Sequence, residues 1–319
     1  MIFPNFERPI MIKHMIAVVA LVATSAFATE KIVIANAQGP QQSMTPQFLR
    51  IVEEANAMQT RYQFVTDFKP GGFESIAIRH MLEDPQRRLG TITNSVMEAM
   101  DRGFVNERDI VPVFSFGDSC WTIITRGGTQ GQGLPSLAKD NSVKDLTGGG
   151  PAPGGAAHLT ALEIGQRYNL PVRYIVYKSN AEALVNMVGD EKSVNIVLER
   201  ARNYMQFRDR SPGINALAVS CPQRHALLPT VPTLAEQGID APYIWNFLVA
   251  SAEMSTDRRK DIEDIFTQAT RRVGRETTQE LSDMQSPVFS GVKSSDHYRA
   301  SIDRLKRARA KWSSAIKAN

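Results

Sequence analysis

Short apolar runs alternate with stretches of helical periodicity over almost the whole chain. KIVIANAQG is a strand that stops at Gly39. Thr45-Pro46 then opens a helix, with Thr as N-cap and Pro in the first turn. Phe48, Ile51, Val52 and Ala55 recur at the spacing of one helix face. RYQFVTDF is a second strand, residues 73–81 a helix, and residues 88–94 a third strand. This β-α-β-α-β order predicts a parallel sheet with helices on its faces.

The stretch DIVPVFSFGDSCWTIITR is rich in aromatic and β-branched residues and is expected to cross into a second domain. The alternation restarts after the loop GGTQGQG. Residues 145–150 lead into a glycine run, a helix is expected over 156–168, and VRYIVYK is a strand. Asn180 is read as the cap of a helix bearing Leu184, Met187 and Val188 and ending at Gly189. VNIVL and INALAVS are strands joined by an arginine-rich connection. Thr233 and Glu236 have capping-box spacing, with Gly238 as the stop. YIWNFLVAS is a last strand, in which Trp245 and Phe247 are expected to be core or hinge residues. Ile262, Ile265, Phe266, Ala269 and Val273 mark one tail helix, and Tyr298, Ile302, Leu305, Trp312 and Ile316 another. The chain is therefore α/β, in two lobes, each a mainly parallel sheet flanked by helices. Ligands of such sheets bind at the carboxyl ends of the strands, here in a cleft between the lobes.

Composition adds little to the fold and more to location. A chain of 319 residues exceeds what one core usually serves. The net charge of +4 is spread along the chain, so nucleic acid is not an expected partner. The one dense basic run, Arg304 to Lys311, reads as the solvated face of a helix. MIKHMIAVVALVATSAFA, from Met11, has a basic start, a short apolar stretch and the small-x-small site Ala26-Phe27-Ala28. Residues 1–28 are expected to be a secretory signal peptide, whether translation starts at Met1 or Met11. The mature chain would begin at Thr29, without a lipid anchor because no Cys follows the site, and would be soluble in the periplasm. In that oxidising compartment Cys120 and Cys221 can bridge, although spacing alone cannot say whether their Cα atoms come close enough.

Three strand-to-helix loops carry glycine, at 38–45, 69–74 and 148–158. Glycine before a helix serves two ends. It makes a turn, and it lets an anion approach the unpaired N–H groups at the positive end of the helix dipole. One such loop is ordinary turn chemistry, whereas three in one chain favour a shared anion site. None fits a phosphate-binding or dinucleotide fingerprint. GDS at 117–119 lies within a strand and reads as structural. The five histidines have no metal-ligand spacing, and no nucleophile–base pair stands out. No enzyme, cofactor or metal is expected.

Several segments, in order, resemble the substrate-binding proteins of tripartite tricarboxylate transporters, the Bug receptors. LLPTVPTLAEQGIDAPYIWNFLVAS is similar to that family's lPdvPTlaEaG…W…lvAP run, and INALAVSCPQRHALLP to the run before it. GGPAPGGAAHL resembles its gspGxGsxxHL loop, and YIVYKSNAEALVNMVGDEKSVNIVL its vpYkGsapaltdllgGxvdvmf segment. KPGGFESIAIRHMLEDPQRRLGTITNS resembles a shortened rPGagGniG segment. The departures are ANAQGPQQSM in the first loop, Ser179 in place of the glycine of YKG, and Ala250-Ser251 in place of AP. The resemblance implies a type II periplasmic binding protein with lobe 1 at 29–112, lobe 2 at 113–234 and a return to lobe 1 at 235–319. It implies a monomer that closes on a small organic carboxylate and delivers it to membrane permease subunits; a sensor presenting its ligand to a signalling partner is the alternative. It also implies a grip made largely by main-chain N–H groups. Carried onto this chain, the grip involves Gln38, Gly39 and Ser43; Pro70, Gly71 and Gly72; and Ala152, Gly154, Gly155, Ala156 and His158. Asn94 and Ser95 could add polar contacts, and Tyr177 and Lys178 line the pocket. Gly154 is expected in a surface loop, and His158 either contacts ligand or packs in the first helical turn.

Overall fold

The computed structural model describes residues 29–40, 45–189, 193–211, 213–221, 223–241, 244–277 and 292–318. The expected leader at 1–28 and Ser43 lie outside these residues. Two five-stranded sheets form the frame. The first has the order β2-β1-β3-β10-β4, from β1 (Glu30–Asn36), β2 (Tyr62–Phe68), β3 (Arg88–Thr93), β4 (Ile110–Ser119) and β10 (Ile244–Ser251). The second has the order β7-β6-β8-β5-β9, from β5 (Thr122–Arg126), β6 (Leu146–Gly150), β7 (Val172–Val176), β8 (Ile196–Glu199) and β9 (Ile214–Val219). In each sheet three strands run parallel, β1-β2-β3 and β6-β7-β8, and the fourth position is filled antiparallel by the first strand after a crossing, β10 and β5 respectively.

Period-two alternation explains why each sheet carries helices on both faces. On β10, Trp245, Phe247 and Val249 enter one core, while Leu248 and Ala250 enter the other. The second of these faces packs α1 (Thr45–Ala57) and α8 (Thr256–Thr277). The first packs α2 (Ser75–Leu82), α3 (Val96–Asp101) and α9 (Val292–Lys311), with α10 (Ser313–Lys317) following. Ile123 and Ile124 divide β5 in the same way. Ile123 faces the core of α4 (Pro135–Lys139) and α5 (Ala156–Tyr168). Ile124 faces that of α6 (Asn180–Val188) and α7 (Ala201–Arg208).

The stretch read as one long strand breaks at Cys120-Trp121, where the chain leaves the first sheet for the second. The end of β9 lies beside this break. Ser220 N–H donates to the Trp121 carbonyl at 2.7 Å, and Trp121 N–H to Ser220 Oγ at 2.9 Å. Cys120 and Cys221, 101 residues apart, form a disulfide across this point with Cα atoms 4.9 Å apart. The expected boundaries at 112/113 and 234/235 therefore miss the crossings. β4 stays paired with β10 through Ser119, and Ile239 and Ala241 still pack in the second core.

Other differences have local causes. Helices α3, α4 and α7 were not expected, because each spans few residues and carries little apolar periodicity. Thr45 is buried, and its hydroxyl donates to the Gly39 carbonyl at 2.9 Å rather than capping α1. Ser179, not Asn180, caps α6, its Oγ accepting from Glu182 N–H at 3.1 Å. The capping box at Thr233 and Glu236 is present, with N–H···O distances of 2.6 and 3.0 Å. Gly148, Gly149 and Gly150 are not loop but the buried end of β6. A Cβ there would come within 3.0 Å of the Tyr174 ring, 2.9 Å of Ala183 and 2.5 Å of the Tyr174 hydroxyl, respectively. These three glycines make room for neighbouring side chains.

Candidate functional site

At the carboxyl edge of the first sheet, a polar floor lies under the first glycine loop. Gln38 N–H donates to Asn36 Oδ1 at 2.9 Å, and the Thr91 hydroxyl donates to the same oxygen at 3.0 Å. Ala37 N–H donates to Thr91 Oγ1 at 3.0 Å. The Gln38 side chain reaches Asn246 Oδ1 at 3.4 Å, and buried Asn246 donates to the Gly117 carbonyl at 3.0 Å. Gly39 stands in open space, with no heavy atom within 4 Å of where a Cβ would be.

The second loop is the most strained backbone of the described chain. Gly71, Gly72, Phe73 and Glu74 have φ of 108°, 56°, 52° and 74° in succession. Left-handed backbone costs a side-chain-bearing residue about 1–2 kcal/mol, and two of these four are not glycine. The buried Glu74 carboxylate holds the turn in place. It accepts from Thr93 N–H at 2.8 Å, from the Thr93 hydroxyl at 2.5 Å and from Val96 N–H. Burial pushes its pKa up to about 7 against the pull of these hydrogen bonds. Pro70, Gly71 and Gly72 are exposed, so their backbone is available to a ligand. Asn94 and Ser95 follow Thr93 into α3, and Ser95 N–H is already taken by Thr93 Oγ1 at 3.2 Å.

In the second lobe the loop before α5 is built from its own hydrogen bonds. Gly154 N–H donates to His158 Nδ1 at 3.0 Å, and Gly155 N–H to the Ala152 carbonyl at 3.1 Å. Gly154 adopts φ +72° and is buried, which corrects its placement in a surface loop. Its carbonyl accepts from Arg309 Nη1 at 2.8 Å. The first turn of α5, at Ala156, Ala157 and His158, has no side-chain cap, so its N–H groups and the positive end of the dipole are free of a local anion. His158 is fully buried and stacks on Tyr174 with centroids 4.4 Å apart. Burial, and then the Arg309 charge, push its pKa down to about 4, so it is neutral near pH 7 and supports the loop rather than supplying charge.

The parallel strands bring Gln38, Gly39, Gly71, Gly72, Asn94 and Ser95 to one edge, and Ala152, Gly154, Gly155 and Ala156 to the corresponding edge of the other sheet. Tyr177 and Lys178 are not drawn into that loop. The Tyr177 hydroxyl meets Ser193 Oγ at 3.1 Å, the Tyr177 ring packs over Gly149, and Lys178 is exposed. Lys178 N–H donates to the Glu182 carboxylate at 2.7 Å, one residue ahead of the Ser179 cap. Asn36, Glu74, Thr91, Thr93 and Asn246 are the polar residues that sequence reasoning passed over. Two carried a signal: Asn246 interrupts an apolar strand, and Glu74 occupies the second glycine position of the PGagG pattern. A cavity of about 290 Å³ beside the disulfide, lined by Ser220, Cys221, Leu234, Ile239, Asp240 and Arg304, includes none of the loop residues. Among the described residues no group of His, Cys, Asp and Glu could hold a metal ion, and no helix is long and apolar enough to cross a membrane.

Two five-stranded sheets, the second built from β5–β9 and the first completed by the returning β10, make a two-lobed α/β fold of the kind seen in periplasmic solute-binding proteins. The profile of the tripartite tricarboxylate transporter family receptor matches residues 129–310, and the chain belongs to that family. A curated relative is the UPF0065 protein of the tcbD-tcbE intergenic region of a Pseudomonas species, 23% identical over 198 residues. That match covers 59% of this chain and 57% of the relative, so the chain spans little more than half the length of the curated relative it matches. A TctC solute-binding protein from Polaromonas has the same fold, with TM-score 0.68 and 14% identity over 89% of this chain and 98% of that one. So has Rpa4515 of R. palustris, solved with adipate, with TM-score 0.67 and 18% identity over 90% and 96%.

Proposed function

We propose that the chain is an extracytoplasmic receptor that closes its two lobes on a small organic carboxylate and hands it to the permease subunits of a tripartite tricarboxylate-type transporter. The observation that carries this reading is the left-handed run at 71–74. Strain of this kind persists where surrounding structure over-determines it, and it clusters at ligand sites. Here a buried carboxylate holds exposed glycine backbone at a strand end, where ligands of such sheets bind. The uncapped first turn of α5 offers the second lobe's contribution. With Gly154 and Gly155 N–H spent inside their loop, the donors left to an anion there are those of Ala156 and Ala157. Hydrogen bonds to a charged acceptor contribute about 1.5–3 kcal/mol each, so a few suffice for micromolar affinity, about −8 kcal/mol in all, once ordering costs are met. Adipate in the R. palustris neighbour is consistent with this ligand class. The leader at 1–28 supports export to the periplasm, where the protein acts as a monomer. A thermal-shift screen against mono-, di- and tricarboxylates, adipate included, tests the proposal. A ligand at 100 times its Kd should stabilise the fold by about 2.7 kcal/mol, and the matching diamide should not. No response to any acid, or an equal response to the diamide, overturns it.

A further inference from the structure

The basic run from Arg304 to Lys311, expected to be a solvated helix face, has four of its five basic residues paired with carboxylates of other elements. Arg304 meets Asp240, beside the return crossing. Lys306 meets Glu107 of the first lobe at 2.6 Å. Arg309 meets Glu98 and Asp101 of α3 at 3.0 and 2.5 Å, and Lys311 meets Glu163 of α5 at 2.7 Å. Trp312 Nε1 donates to the same Glu163 at 2.7 Å.

The apolar face of the segment follows the same path. Tyr298, Ile302 and Leu305 pack with Trp245 and Phe247 of the first lobe, and the cluster continues through Trp312 and Ile316 to Leu159 and Leu162 on α5. Ile316 Cδ1 lies 3.2 Å from where a Cβ on Gly154 would be. We propose that α9 and α10 form a strap across both lobes, in addition to the two crossings, and that Arg309 is the positioning residue through which the strap holds the 152–156 loop. Its side chain is 13% exposed. One nitrogen holds the Gly154 carbonyl of the second lobe, and the other holds two carboxylates of the first. The planar guanidinium fork can serve these partners at once, and a lysine ammonium cannot reproduce that geometry. Lobe opening therefore has to release Arg309 or carry the end of the strap along.

The consequence for capture rests on the proposed carboxylate site, but the strap itself does not. Hydrogen exchange on the ligand-free protein tests it directly. In Arg309→Gln the amides of 154–157 should exchange about tenfold faster, as expected when a local opening becomes easier. Arg309→Lys should recover part of that loss. Lys306→Gln, whose ion pair stays within the first lobe, should leave those amides unchanged. Stopped-flow binding of adipate should then show both association and dissociation rates altered in Arg309→Gln only. Unchanged exchange in Arg309→Gln, or an equal rise in Lys306→Gln, overturns the strap. Altered adipate binding with unchanged exchange overturns it too, by making Arg309 a direct ligand contact. If the wild type does not bind adipate or any other acid, the carboxylate reading fails, while the exchange result still decides the strap.

Discussion

Glu74 and His158 are buried ionisable residues in the second and third glycine loops, and their titrations oppose each other. Glu74 binds its proton up to about pH 7 in the folded chain but only up to about 4.5 when unfolded. The stability it contributes is complete below about pH 4.5 and is lost as pH rises through 7. His158 is the reverse: its ordinary value of 6.5 falls to about 4 in the folded chain, so stability is lost as pH falls from 6.5 towards 4. The two slopes offset each other between pH 4.5 and 6.5. Melting profiles of Glu74→Gln should therefore fall more steeply on acidification than the wild type, and those of His158→Asn less steeply. Profiles parallel to the wild type would remove the titration assigned to both. The sequence marks Glu74 only as a departure from a glycine pattern, since neither its burial nor the left-handed φ can be read from spacing.

Among elements, α6 and α5 begin in opposite ways. α6 closes its own N-terminus with Ser179, and the Glu182 carboxylate accepts from Lys178 N–H just ahead of it. α5 begins at Gly155 with no side-chain cap. The resemblance that placed Tyr177 and Lys178 in the pocket includes a glycine where this chain has Ser179, and the substitution turns the loop inward on its own helix. Ser179→Ala should destabilise the protein by about 1 kcal/mol in urea titrations while leaving carboxylate affinity within about twofold of wild type. A large loss of affinity without loss of stability would return the 177–179 loop to the site. Element identity was largely legible here, because 156–168 and 180–188 carry apolar periodicity. The capping residue was not, because Ser179 and Asn180 are both good caps and only backbone geometry separates them.

For the whole molecule, the disulfide ties the first crossing, at Cys120-Trp121, to the end of β9 in the second lobe. Closing a loop of about 100 residues is worth about 4–5 kcal/mol in the chain-entropy model. Alkylation of unfolded, non-reduced protein should find no free thiol, and Cys120→Ser should lower the urea midpoint without changing the secondary structure seen by circular dichroism. Two alkylated thiols in the native material would refute the bridge.

The alternation of strands and helices, the apolar faces of α1, α8 and α9, and the order of the glycine loops could all be read from the chain by itself. These are properties of residues close in sequence, where side-chain period and turn chemistry act. The tertiary structure decided that β10 returns to the first sheet between β3 and β4, that Gly148–Gly150 yield space to Tyr174 and Ala183, and that Glu74 braces a strained turn. It also decided that a basic run would bridge two lobes. Each of those depends on which surface meets a residue from a distant part of the chain, and local patterning carries no record of that partner.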